Sequence, residues 1–176
     1  MARPETRQSV GFDGSQPWST KGATPAGDDL GILESILNDS NEEFFLGQVR
    51  GAYSRLLGRG FRLDDGKSKV YTQPYYDVFE GLDPIQYAQN PRTLQTKVYL
   101  FNSATGLLEL VRYKVKRNGV SVDIETRWTN WTKVQGQQVP QSVVRTEDGR
   151  PVFSMTVISA ALAAKAPDNI FRKPAN

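Results

Sequence analysis

The chain has no cysteine and no histidine. The first absence removes disulfides, thiol nucleophiles and thiolate metal sites. The second removes Ser-His-Asp triads, imidazole general bases and nearly every remaining transition-metal site. A thiol-free chain is indifferent to redox state, so it fits a reducing cytoplasm and an oxidising envelope equally well. Long hydrophobic runs are missing too: no stretch approaches the roughly 20 apolar residues that span a bilayer as a helix. The opening Met1-Ala2-Arg3-Pro4-Glu5-Thr6-Arg7 lacks the apolar core of a signal peptide. Charge of one sign is scarce as well. Lys and Arg number 22 against 19 Asp and Glu, interleaved along the chain, so no basic stripe is offered to a nucleic acid.

Catalytic motifs are equally thin. Ser9, Ser54 and Ser154 have no histidine to activate them, and none sits in a Gly-x-Ser-x-Gly elbow. The acid pairs Asp28-Asp29, Asp64-Asp65 and Glu147-Asp148 lack the further oxygens at regular spacing that a Ca²⁺ loop needs, and read as solvated turn or helix-start acids. Gly47, Gly51, Gly58 and Gly60 do not follow the order of a phosphate loop. An enzyme would need a buried acid or lysine converging on a polar cleft, and no such cluster stands out. The expectation is a non-enzymatic protein with no metal and no cofactor.

What the chain does have is a meander. From Leu94 onward, apolar and polar residues alternate through successive runs closed by turn residues. Strands are predicted over 95–102, 107–116, 120–131, 139–146 and 152–160. Turns fall at Ser103-Ala104-Thr105-Gly106, Arg117-Asn118-Gly119, Lys133 to Gln137 and Glu147-Asp148-Gly149-Arg150. Upstream, Gln73 to Glu80 is rich in aromatic and β-branched residues and reads as a strand. Phe61 to Leu63 alternates briefly, Asp64-Asp65-Gly66-Lys67 reads as a turn into Val70-Tyr71, and 82–93 reads as a loop.

Two helices precede the meander. Leu30, Leu33, Ile36 and Leu37 fall at helical spacing after Asp28 or Asp29, a natural N-cap, giving a helix over about 29–38. Ser40 and Glu43 form a capping-box pattern that starts a second. Phe45, Val49, Tyr53, Leu56 and Leu57 would share one apolar face, extending it over about 41–58. A short strand near Ser9–Phe12 leads into an Asp13-Gly14 turn, with Trp18 beyond it, and 161–176 forms a tail. At this length and 38% hydrophobic content, a single domain over 1–176 with one core is the economical expectation.

The ordered set of motifs resembles a known family. Phe12-Asp13-Gly14 followed by Trp18, Tyr75-Tyr76-Asp77-Val78-Phe79, the run from Lys97 to Leu108, Trp131 to Pro140, and Asp168-Asn169-Ile170-Phe171-Arg172-Lys173-Pro174 look like the outer-membrane lipoprotein carrier superfamily of bacterial envelopes (LolA, LolB and LppX-like proteins). The resemblance covers most of the chain outside the helices. It implies an α+β fold: a curved antiparallel sheet forming an open half-barrel, with two helices packed on its concave face. It also implies a periplasmic or cell-envelope location and the binding of a lipid or acyl chain between sheet and helices. Relatives carry an export signal, a helix and several strands ahead of the Asp-Gly-Trp region. This chain has few residues there, which implies an N-terminally truncated member whose open sheet edge could pair two copies into a homodimer.

The function expected on this basis is non-catalytic binding of a hydrophobic ligand. Leu33, Leu37, Phe45, Val49, Tyr99, Phe101 and Trp128 are the expected lining, although the same residues would serve a plain filled core. The alternative is an interaction module that pairs or oligomerises through its open edge and has no ligand cavity.

Overall fold

The computed structural model describes residues 10–12, 17–19, 27–49, 54–63, 74–82 and 96–160. In chain order they form β1 (Val10–Phe12), β2 (Pro17–Ser19), α1 (Gly27–Asn38), α2 (Asn41–Val49), β3 (Ser54–Arg62), β4 (Tyr75–Leu82), β5 (Thr96–Asn102), β6 (Leu108–Arg117), β7 (Val120–Val134), β8 (Gln137–Glu147) and β9 (Arg150–Thr156). The expected turns at 13–16 and 64–67, the strand at Val70-Tyr71, the loop beyond Leu82 and the tail with Asp168–Pro174 lie outside the described residues.

The chain groups into two compact units. The first includes β1, β2 and α1 up to Ser35, and the second runs Ile36–Ala160. In the first, β1 and β2 pair antiparallel, with Gly11 opposite Trp18. The second holds the sheet. Its seven strands lie in the order β3-β4-β5-β6-β7-β8-β9, every neighbour antiparallel. The sheet is open, because β3 and β9 stand at opposite edges instead of closing on each other.

The hairpins follow from their turn residues. Asn118-Gly119, Gln135-Gly136 and Asp148-Gly149 all take positive φ at both positions, 50°/81°, 47°/90° and 47°/75°. Two consecutive left-handed residues make the turn whose twist matches that of the flanking strands, and Asn, Asp and Gly accept it at least cost. Between β5 and β6 the reversal is longer. Asn102 Oδ1 accepts from Ala104 N at 2.9 Å, and Gly106 at φ 69° completes the turn.

One expectation is corrected. The second helix does not run to 58: α2 ends at Val49, and Ser54–Arg62 is strand β3. Leu56 lies opposite Phe79, and Phe61 opposite Tyr76. Leu56 and Leu57 fit a helical face in sequence, but Gly47, Gly51, Gly58 and Gly60 weaken a helix by up to about 1 kcal/mol each. Pairing with β4 decides the outcome. The register shifts twice around Gly58, and Gly60 adopts φ 69°, so Gly58 and Gly60 serve a bulged edge strand. α1 begins at Gly27, slightly ahead of the expected Asp28 or Asp29 cap. The Ser40 cap of α2 is present: its Oγ accepts from Glu43 N at 3.3 Å.

The register divides the sheet residues between two faces. One carries Phe79, Lys97, Tyr99, Phe101, Val111, Tyr113, Ile124, Thr126, Trp128, Val143 and Arg145. α2 lies on it through Phe44. The opposite face carries Tyr76, Val78, Leu100 and Leu110 as a buried apolar cluster. A bulge keeps the faces sorted at the start of β6: Leu100 pairs with Leu110 but Phe101 with Leu108, so Glu109 is the extra residue. Its carboxylate then bonds Tyr76 and Asn102 on the second face.

Candidate functional site

The helix-covered face has an aromatic end and a charged end, and β5 runs through both. Lys97, Tyr99 and Phe101 alternate with Val98 and Leu100, so all three share this face.

At the aromatic end Phe44 inserts among the sheet rings. Its centroid lies 4.7 Å from Tyr99, 5.1 Å from Phe101 and 5.9 Å from Phe79, in tilted and edge-on arrangements. Phe79 and Phe101 meet edge to face at 5.6 Å, the geometry that ring quadrupoles favour. Gly81 makes room for Tyr99, since a methyl there would sit 2.9 Å from its Cε2. Phe44 is the buried residue of α2. Around it, Phe45 is 53% and Val49 85% exposed, so α2 holds this surface by one anchoring side chain.

At the charged end the elbow between α1 and α2 lowers Asp39 onto the sheet, where it is fully buried. Lys97 Nζ donates to its Oδ1 at 2.7 Å. Its Oδ2 receives longer contacts, 3.4 Å from Thr126 Oγ1 and 3.5 Å from one Arg145 nitrogen. Arg145, 2% exposed, also donates to Tyr113 Oη at 3.1 Å. The Tyr113 ring takes Lys97 Nζ at 5.0 Å and the Arg145 guanidinium carbon at 5.8 Å, within cation–π range. Burial, and after it the Asp39 charge, push the Tyr113 hydroxyl up to about 12, so it stays protonated at neutral pH. Arg145 Nε is buried without a hydrogen-bond partner; Glu147 Oε1 lies 3.9 Å away, and the two Glu147 carboxylate oxygens accept one each from the terminal nitrogens of Arg117, Oε2 at 2.6 Å and Oε1 at 2.9 Å.

The residues expected from sequence divide accordingly. Tyr99, Phe101 and Trp128 are buried on the covered face. Leu37, Phe45 and Val49 are exposed, although the Phe45 ring reaches within 6.2 Å of Phe101. Leu33 is half-buried in the first unit. Phe44 replaces Phe45 as the anchor, a choice that a Phe-Phe-Leu run leaves open by one residue. Asp39, Lys97, Thr126 and Arg145 were missed altogether. A signal existed: Lys97, Thr126 and Arg145 occupy inward positions of strands whose inward neighbours are Tyr99, Ile124, Trp128 and Val143.

A buried acid and a buried lysine thus do converge here. They are spent on each other, since the short Lys97–Asp39 contact ties up both groups beneath the elbow. Two of the remaining candidates make structural hydrogen bonds, Ser54 and Asp148. Ser54 Oγ donates to Gln48 at 2.5 Å, Ser154 is exposed on β9, and Asp148 accepts from Asp123 N at 2.8 Å. Asp28 and Asp29 fall in the first turn of α1, while Ser9, Asp64 and Asp65 lie outside the described residues. Among the described residues no helix is long and apolar enough to cross a membrane. No family model, no curated protein and no solved structure matches the chain.

Proposed function

We propose that this is a non-catalytic, carrier-like protein of the bacterial envelope that binds a hydrophobic chain on the aromatic face of its sheet, in the place taken here by α2. The observation that carries this reading is Phe44. A nine-residue helix covers a surface of Phe79, Tyr99 and Phe101 with a single buried side chain. Burying one such side chain contributes about 1.5–3 kcal/mol, whereas ten methylenes of an acyl chain contribute on the order of 8 kcal/mol before the losses of association. A long chain therefore has the larger driving force for that surface, and α2 acts as a displaceable plug. The motif resemblance to lipoprotein carriers supports the same reading and suggests the compartment.

Native mass spectrometry and lipid extraction of the purified full chain test it. The expected result is a co-purifying lipid, or uptake of one long-chain probe per protein after delipidation. A clean, ligand-free protein with no uptake would sink the carrier reading. It would favour the second one, an interaction module, which has its own observation. β3 is an edge strand, and its Leu56, Leu57 and Phe61 are 42%, 43% and 50% exposed, the composition of an edge that pairs with another chain.

A further inference from the structure

Building on the proposed chain-binding site, we infer that its ligand is an amphiphile with a carboxylate head, and that Lys97 and Arg145 receive the head group now mimicked by Asp39. The charged and aromatic ends of the site are collinear. Lys97, Tyr99 and Phe101 succeed one another on one face of β5, and the strand rise puts roughly 13 Å between the first and the last. The elbow and α2 lay a carboxylate, Asp39, on the cations and a hydrocarbon group, Phe44, on the rings. Head and tail of a fatty-acid-like molecule would lie the same way.

The cations are under-satisfied by their present partner. Lys97 and Arg145 share the Asp39 carboxylate; its Oδ1 contact is short, while its Oδ2 contacts of 3.4 and 3.5 Å reach the limit of hydrogen bonding. Arg145 Nε has no hydrogen-bond partner, and the nearby Glu147 is held by Arg117. If Asp39 lifts away with α2, a neutral apolar ligand fills the place of Phe44 but removes the Asp39 counter-charge from two buried cations, leaving Arg145 with only the Glu147 carboxylate at 3.9 Å, which is strongly unfavourable. A carboxylate at the end of the chain restores it and brings two acceptor oxygens to Lys97, Arg145 and Thr126. Selection for the acidic head follows from what the departing elbow uncovers.

The test compares dodecanoate, 1-dodecanol and acetate on the full chain by isothermal titration calorimetry. Dodecanoate is expected to bind at least about tenfold more tightly than dodecanol, the scale of one charge-assisted hydrogen bond, and acetate not to bind in the same concentration range. Lys97→Met should close the gap between the two probes, weakening dodecanoate and relieving for dodecanol one of the buried cations that a neutral ligand uncovers. Because that variant unpairs Asp39, the wild-type comparison stands as the deciding measurement should it fail to fold. Asp39→Asn, which removes the internal carboxylate and keeps its shape, should show a larger thermal stabilisation by dodecanoate than wild type. Equal affinity for dodecanoate and dodecanol overturns the head-group assignment while leaving the apolar site standing. Acetate binding as tightly as dodecanoate overturns it in favour of a free-anion site. Absence of binding by either long-chain probe overturns the underlying reading as well.

Discussion

The two faces of the sheet use the same residue types in opposite ways. Beneath α2, Asp39, Lys97 and Arg145 are almost wholly buried and share contacts. On the other face, Glu125 bridges Arg112 at 2.8 Å and Arg127 at 2.5 Å, and Lys114 meets Asp123 at 2.6 Å, all in contact with solvent. Distances alone would rank these pairs alike. Burial separates them: a solvated pair contributes about 0–1 kcal/mol, whereas removing one partner of a buried pair costs about 3–5 kcal/mol because a charge is left stranded. The apolar material differs too. Tyr76, Val78, Leu100 and Leu110 form a closed cluster on the open-charge face, with Leu63 and Val98 against it, while the covered face gathers its aromatics under one plug.

That contrast can be broken by substitution. The largest effect is expected for Asp39→Ala, which strands Lys97 and Arg145 and should lower stability by about 3–5 kcal/mol in urea denaturation. A loss below about 1 kcal/mol would place the cluster in the same class as the solvated pairs. Leu110→Ala, at a fully buried position of the opposite face, should cost about 3 kcal/mol as a cavity, with no change in probe binding on the helix-covered face. Glu125→Ala should fall within about 1 kcal/mol despite its two short contacts; a loss as large as that of Asp39→Ala would erase the distinction between faces.

The smallest effect is spectroscopic and compares one tyrosine from each face. Burial and then the Asp39 charge push Tyr113 up to about 12, and burial and then the Glu109 charge do the same for Tyr76. Both hold their protons more tightly folded than unfolded, where a tyrosine titrates near 10. The stability linked to them is therefore fully present below pH 10 and is lost as pH rises towards 12. Absorbance at alkaline pH should show a late-titrating tyrosine component, with Tyr113→Phe and Tyr76→Phe each removing one tyrosine from it. A single transition near the ordinary value would contradict both assignments.

Much of this architecture is legible in the sequence, for a local reason. β5 to β9 announce themselves because period-two alternation and Asn-Gly or Asp-Gly turns act over neighbouring residues, as at Asn118-Gly119 and Asp148-Gly149. β3 hides because Leu56 and Leu57 also continue the helical spacing of Phe45 and Val49, and only pairing with Phe79 and Tyr76, distant in sequence, resolves the ambiguity. The charged end of the site hides for a related reason. Lys97, Thr126 and Arg145 each look like ordinary surface residues until strand parity turns them inward, and Asp39 reaches them from the helical elbow across 58 to 106 residues of chain. Parity marks the three strand positions; their common partner is a tertiary fact.

On the proposed function, α2 and the hydrophobic ligand compete for one surface, since Phe44 already occupies it. Hydrogen exchange across Asn41–Val49, measured on the full chain with and without saturating dodecanoate or dodecanol, tests this most directly. Displacement predicts that the α2 amides exchange faster when the probe is bound while Lys97–Phe101 stay protected. Protection of α2 that holds or rises with a bound probe would contradict it, placing the ligand elsewhere on the molecule.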